Sequence, residues 1–402
     1  MKYEVAVLGG GAAGLAASAM LHKAGKRTVL CEKGARVGKK LLSTGSGTCN
    51  LSNLDLSVAH YHSLGGDAAS FVAPALGAFS LSDTRAFFSS VGVETEPDAR
   101  GRVYPVCRSA GAVLDCLRFS LGDVLTDFDV TELRKENGGF RITASDGRSV
   151  FAEKIIVALG NAASPSLGGT AETYRLLSPF GVTATKLTPS VVSLLTDTRF
   201  TRALKGLRVD ARLTLFCDGK ALASSHDELL FTDSGLSGPA ALFVSRPVGV
   251  WEAEKRGKMT LSIDFLPDRD AKELLSHRRV LDRPAADFLT GLFHRRVGET
   301  LCRAAGIDLS RPLSDGDFAK LLKTVTAFSA DVRGTAGMRD AQVTAGGVSL
   351  AEVDPETLEL KKCPGIFVAG EMLDVDGDCG GYNLQWAWSS AHLAAVNAGG
   401  IR

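Results

Sequence analysis

The chain lacks the short signatures of several chemistries. Its eight cysteines (Cys31, Cys49, Cys107, Cys116, Cys217, Cys302, Cys363 and Cys379) form no CxxC pair and show no metal-ligand spacing. That pattern suits mostly buried thiols in a reducing compartment. The seven histidines form no HExxH motif and no cluster. No metal site is expected, and no Ser-His-Asp set suggests nucleophilic catalysis. No block of one charge sign occurs, since 46 basic residues face 45 acidic ones. Nothing therefore points to nucleic acid or to a membrane surface. No uninterrupted apolar run is long enough to span a bilayer. The expectation is a soluble cytoplasmic protein acting on a small molecule, with an oligomeric state that the sequence leaves open. At 402 residues it should hold two or three structural units.

What is present is concentrated at the two ends. Val5-Ala6-Val7-Leu8 is an apolar run followed by Gly9-Gly10-Gly11-Ala12-Ala13-Gly14. An alanine-rich stretch runs to Lys23, and Thr28-Val29-Leu30-Cys31 ends at Glu32. This order reads as strand, glycine turn, helix, strand, acid. Gly9 allows the tight turn, Gly11 lets a diphosphate approach the backbone, and Gly14 lets the helix pack closely. The helix start directs unpaired N–H groups and a positive dipole end at the diphosphate. Glu32 stands where a carboxylate accepts from an adenosine ribose, and it disfavours a 2′-phosphate. The ligand is therefore FAD or NAD rather than NADP. A signal peptide is the rival reading, because Lys2 precedes the apolar Val5–Leu21 stretch. The glycines and the strand ending in Glu32 argue against it.

The next segment, Gly38 to Asn50, is a glycine- and hydroxyl-rich loop containing Lys39 and Lys40. Such a loop can hold anionic or carbonyl oxygens through its backbone amides. Ser82-Asp83-Thr84 reads as a cap for a helix through Ser89, and Gly111 to Leu121 reads as another helix. Gly101 to Pro105 is extended, Asp123–Leu133 reads as a strand, and Phe140–Ala144 alternates before an Asp146-Gly147 turn. Ile155 to Leu159 is an unbroken apolar strand ending in Gly160, suited to a buried parallel position. From Pro189 the texture changes. Val209, Ala211, Leu213 and Leu215 alternate, Asp218-Gly219 signals a hairpin, and Met259, Leu261, Ile263 and Phe265 alternate again. Pro239 is placed in the first turn of a short helix.

Residues 268–330 read as helical. Phe288, Leu289, Leu292, Phe293, Val297 and Leu301 make one helical stripe closed by Gly306, most simply a packing face. Ser314 and Asp317 make a capping box, and Arg278-Arg279 and Arg295-Arg296 read as solvated. Near the end, Ile366 to Ala369 is a buried-type strand running into Gly370-Glu371. Asp374, Asp376, Asp378 and Gly380-Gly381-Tyr382-Asn383-Leu384 follow, before a helix over Trp386–Asn397. The three aspartates read as a solvated loop, since their spacing departs from the EF-hand pattern.

A second strand–glycine–acid site is what a long FAD needs, and a plain NAD domain leaves it unexplained. Glu371 is placed to hold a ribitol hydroxyl, and the Asn383-Leu384 amides can face the N1/C2=O side of the ring. Tyr382, Cys49 and Asp378 lie in ring-side loops as candidate proton donors. Their simpler readings are packing, a buried thiol and solvent exposure, so no catalytic residue is assigned.

The chain resembles the bacterial BaiN-like flavoproteins, known variously as NAD(P)/FAD-dependent oxidoreductases or aminoacetone-oxidase-like proteins. The pieces that carry the resemblance are GGGAAG with Glu32-Lys33, GKKLLSTGSGTCNLSN, GRVYP, TDSGLSGP, TAGGV and GEMLDVDGDCGGYNLQWAWSS. It implies an α/β architecture: a Rossmann-type FAD-binding domain, glutathione-reductase-like with one dinucleotide fold, carrying an inserted antiparallel β-barrel-like subdomain and a helical subdomain. The corresponding expected boundaries are 1–188 with 345–402, then 189–267, then 268–344. It implies cofactor contacts at Gly9, Gly11, Gly14, Glu32, Lys33, Lys40, Thr44, Gly45, Asn50, Gly370, Glu371, Asn383 and Leu384. Val130 and Ala158 fall beside the adenine. Ala12, Ala13, Gly160, Asp374, Gly381 and Tyr382 complete the expected set. Three positions depart from the family pattern: Thr48 replaces an arginine, Asp233 replaces a histidine, and Ala158-Leu159-Gly160-Asn161 replaces ATGG.

One dinucleotide fingerprint, not two, argues against a separate nicotinamide domain. Electrons then come from NAD(P)H docking transiently over the ring, from the substrate, or from a partner protein. Three activities follow: an NAD(P)H-driven reductase of an unsaturated or carbonyl substrate, an amine oxidase using oxygen, or a non-catalytic flavin-binding sensor.

Overall fold

The computed structural model describes residues 2–254 and 257–401. The chain divides into two compact units, one made of residues up to 188 and from 343 onward, the other of residues 189–342. Each has its own apolar core.

The first unit is built on a seven-stranded sheet. Lys2–Leu8 lies at its centre, parallel to Thr28–Cys31 on one side and Ser149–Val157 on the other. The four residues Val5 to Leu8 are fully buried, as expected of a strand covered on both faces. Ser149–Val157 is long enough to serve two neighbours along one edge. Its first half pairs antiparallel with Gly139–Ala144, and Ile155–Val157 pairs parallel with Ile366–Val368. The carboxyl-terminal segment thus enters the sheet that the amino terminus began. The Ala12–Lys23 helix packs against Tyr382–Gly399, the last helix.

Several local expectations shift. The predicted Asp123–Leu133 strand is two strands. Asp123–Leu125 joins the parallel edge beside Thr28–Cys31, and Val130–Glu136 pairs with Gly139–Ala144. Asp127, at φ 50°, turns the chain between them. The helix at 81–90 is capped by Ser80, not Ser82, and Ser80 and Asp83 form the capping box. Within the Gly38–Asn50 loop, Lys39–Ser43 is a turn of helix.

The second unit is a closed six-stranded barrel. Arg208–Cys217 and Lys220–Phe231 form its longest hairpin, turned by Asp218 and Gly219 at positive φ. Ala211, Leu213 and Leu215 point inward, as do Met259, Leu261 and Ile263 on the next strand. Phe328–Thr335, expected as helical and linker, is the strand that closes the barrel against Leu194–Thr196. Helices at Ala271–Arg278, Arg295–Ala304 and Asp315–Thr326 belong to the same unit. The apolar stripe from Phe288 to Leu301 is not one helix: Ala285–Phe288 ends, Gly291 takes φ 90°, and a new helix starts at Arg295. Arg278 is not simply solvated, since it donates to the carbonyls of Phe288 and Thr290 at 2.9 and 2.7 Å. Among the described residues no helix is long and apolar enough to cross a membrane.

Candidate functional site

The carboxyl end of Lys2–Leu8 delivers the glycine turn. Gly9 takes φ 102°, and a Cβ there would sit 2.4 Å from the Ala158 carbonyl oxygen. A Cβ on Gly14 would sit 1.8 Å from the Gly9 oxygen, so the helix can approach the turn only through glycine. Gly11 is different: a Cβ there meets no atom within 4 Å. No side chain caps the helix that starts at Ala12-Ala13, so its amide end is left for another acceptor.

Glu32 spans the mouth of this turn. Its carboxylate accepts from the Gly10 amide at 2.8 Å and from the Gly34 amide at 2.7 Å. Each oxygen keeps a lone pair, so Glu32 can fix the loop and still accept from a ribose. Lys33 Nζ donates to the Gly168 carbonyl at 2.6 Å. Ala158 is buried just past the Ser149–Val157 strand, and its amide donates to Leu8. Gly160 lies two residues on, and Val130 begins the outer Val130–Glu136 strand.

The far end of the chain meets this turn from the same sheet edge. Past Ile366–Val368, the Gly370 amide donates to Ser390 Oγ, and its carbonyl accepts from Trp386 Nε1. Glu371 Oε2 is 2.6 Å from Lys40 Nζ, and Oε1 accepts from the Thr344 amide at 2.8 Å. Asn161 ties the same corner, donating to the carbonyls of Gly346 and Glu371. Neither Asn161 nor the Lys40–Glu371 pairing is signalled by any local sequence pattern.

Asp374 and Asp376 are fully buried, which corrects the solvated-loop reading of this stretch. The Asp374 carboxylate accepts from Ser63 Oγ and from the Leu64 and Gly65 amides at 2.7, 3.0 and 2.9 Å. Its bonds hold the 63–65 turn, which makes it an anchor of the loop. The Asn383 side chain is likewise occupied, accepting from the Gly377 amide and donating to the Gly377 carbonyl. That leaves main-chain groups at Asn383 and Leu384 as the ones open to a ligand.

Gly381, at φ 105°, immediately precedes the last helix and gives it no side-chain cap. A Cβ on Gly381 would sit 2.4 Å from Ser52 O and 2.9 Å from Asn50 Oδ1. Asn50 Oδ1 is itself buried without a hydrogen-bond partner. Gly45, at φ 55°, packs beside the Asn50 amide, and Thr44 Oγ1 donates to the Leu41 carbonyl. Tyr382 is buried, and its carbonyl accepts from Tyr61 Oη. Burial raises both phenols above their ordinary value. Burial also pushes the Cys49 thiol up to about 11.

One cluster escaped the sequence reading. His60 Nδ1 is 2.9 Å from Asp378 Oδ2, and His62 Nε2 is 2.8 Å from Asp378 Oδ1. The available signal was the His-Tyr-His alternation, which places two imidazoles on one side of an extended chain. Asp378 is only 15% exposed, so it is not the solvated residue expected. Among the described residues no His, Cys, Asp or Glu group is arranged to hold a metal.

Two uncapped helix starts, open space over Gly11 and an orphaned buried oxygen on Asn50 are what an extended dinucleotide would complete. The residues present fit FAD.

Residues 3–397 match the HI0933-like protein Rossmann domain. The chain belongs to this family. It is 34% identical to the 3-dehydro-bile acid delta(4,6)-reductase of Clostridium scindens, covering 97% of this chain and 98% of the relative. It is 31% identical to the ribosomal RNA dihydrouridine synthase of Escherichia coli, covering 98% and 97%. The resemblance read from the sequence thus holds, and with it the assignment to FAD-dependent oxidoreductases. In fold alone the chain is similar to 3-ketosteroid delta1-dehydrogenase from Sterolibacterium denitrificans, with a TM-score of 0.50, 12% identity and full coverage of both chains.

Proposed function

We propose that this family member reduces a carbon–carbon double bond conjugated to a carbonyl in a small molecule, with NAD(P)H as the electron source. The observation that carries the reading is the near full-length match to two relatives whose named reactions share one chemical feature. A 3-oxo-Δ4,6 steroid and the uracil ring each hold a double bond in conjugation with a carbonyl. Such a bond accepts hydride at its β-carbon because the carbonyl takes up the resulting charge, and a proton from solvent then completes the α-carbon.

When bound, FAD would supply the hydride, at its N5 position. The chain's own residues bind and orient it. In this reading the Gly11–Gly14 amides hold the diphosphate and Glu32 holds the adenosine ribose. Lys40 and Glu371 flank the ribitol, and the Asn383 and Leu384 amides face the pyrimidine side of the ring. Val130, Ala158 and Gly160 line the adenine end. Thr44, Gly45 and Asn50 wrap the middle.

A small molecule is favoured over RNA by charge. The formal net charge is +1, with basic and acidic residues interspersed. RNA binding draws most of its affinity from phosphate contacts made by concentrated basic surface.

The test is spectroscopic. The purified protein should be yellow, and anaerobic NADH or NADPH should bleach it. Adding a 3-oxo-Δ4 steroid under the same conditions should restore the colour. Peroxide release with aminoacetone in air would favour the oxidase instead, and reoxidation only by uridine-containing RNA would move the substrate to nucleic acid. Flavin that neither nicotinamide reduces would sink the reading.

A further inference from the structure

The His60 ring has both nitrogens on carboxylates. Nδ1 lies 2.9 Å from Asp378 Oδ2, and Nε2 lies 3.1 Å from Asp55 Oδ2. A carboxylate only accepts, so both bonds form together only when both ring nitrogens carry a proton. The same ring stacks on Tyr382, with centroids 4.1 Å apart and planes 20° from parallel. Tyr382 is the first residue of the last helix.

The segment carrying His60 also grips the loop before that helix. Tyr61 and His62 pair antiparallel with Asp376 and Gly377. The Asp378 amide donates to the His60 carbonyl at 3.0 Å, and Asn53 Nδ2 donates to the Gly380 carbonyl at 3.0 Å. Every residue from Asp376 to Tyr382 other than Cys379 and Gly381 is therefore tied to residues 53–62 by a bond or a strand pairing.

We propose that His60, charged between Asp55 and Asp378, is a positioning residue that neutralises Asp378 and sets the Tyr382 helix start against the flavin ring. This rests on the reading that the ring meets the Asn383 and Leu384 amides. Negative charge gathers on the N1/C2=O side of reduced flavin, and an unneutralised Asp378 on the adjoining loop would oppose it. The groups facing the imidazole are Asp55, Asp378 and Tyr382. His62, Tyr61 and Cys379 also face Asp378, and Arg102 faces Cys379.

The experiment uses holoenzyme at equilibrium with a redox dye, so it needs neither nicotinamide nor substrate. A nicotinamide that fails to bleach the protein therefore counts against the proposed reaction alone. His60→Gln should lower the reduced-to-oxidised ratio at about pH 6 on the order of tenfold, the scale of one partly buried charge at a helix end. His60→Arg keeps a planar, permanently charged group that stacks on Tyr382 and pairs with carboxylates. It should restore the ratio. Histidine-selective nitrogen-15 spectra of the wild type, assigned with the glutamine variant, should show two protonated nitrogens on His60 at neutral pH. One protonated nitrogen, or dye equilibria that superimpose for wild type and both variants, would overturn the proposal.

Discussion

Lys40 Nζ lies 2.6 Å from Glu371 Oε2, a bond between residues 331 positions apart. The two partners do not contribute equally. Lys40 is partly exposed, and exposed pairs contribute about 0–1 kcal/mol. Glu371 also accepts from the Thr344 amide, so removing it leaves a partly buried donor unmet. Lys40→Ala should change thermal stability little, whereas Glu371→Ala should cost about 1–3 kcal/mol. Both should lose flavin on gel filtration, read as the ratio of visible to ultraviolet absorbance.

Gly11 and Gly14 separate binding from folding. A Cβ at Gly11 meets no protein atom within 4 Å, whereas one at Gly14 meets the Gly9 carbonyl. Gly11→Val should fold with a circular-dichroism spectrum like the wild type and be colourless. Gly14→Ala should be destabilised whether or not flavin is added. A yellow Gly11→Val protein with full flavin occupancy would remove the diphosphate from this turn. Glu32→Ala should weaken FAD by about 1.5–3 kcal/mol through lost hydrogen bonds to a charged group.

Cys49 is buried and its thiol is pushed up to about 11, whereas Cys107 is exposed. The thiolate is the reactive form, so Cys49 should resist alkylation at about pH 8 in the native protein. Peptide mapping after brief iodoacetamide treatment should find Cys107 modified and Cys49 free. Rapid native labelling of Cys49 would revive it as a proton donor or redox group.

His392 stacks on Phe79 at 4.6 Å, and burial lowers its proton affinity despite the nearby Asp83. The folded state therefore binds the proton less well than the unfolded chain. Stability is full above the ordinary histidine value of about 6.5 and falls as pH drops through it toward the lowered value. His392→Phe should remove that part of the slope in urea midpoints measured from about pH 7.5 down to about pH 5.

The parts legible in the sequence were those whose cause is local. The glycine turn, the alternating barrel strands and the Ser314–Asp317 capping box each rest on residues a few positions apart. The parts missed depend on partners far along the chain or on one backbone angle. Asp374 looked solvated because Ser63, Leu64 and Gly65 lie more than three hundred positions away. The apolar periodicity from Phe288 to Leu301 continues through Gly291, so its pattern could not reveal the break. His60 and His62 gained meaning only when Asp378 was folded against them.

Ser149–Val157 has a consequence for how the protein is made. Ile155, Ile156 and Val157 wait for Ile366–Val368, which leaves the ribosome only after the whole barrel has been synthesised. Until then the nascent chain carries a bare apolar strand edge, the kind of surface that recruits other chains. Truncated products ending before residue 366 should accumulate as aggregates rather than as a soluble half-protein.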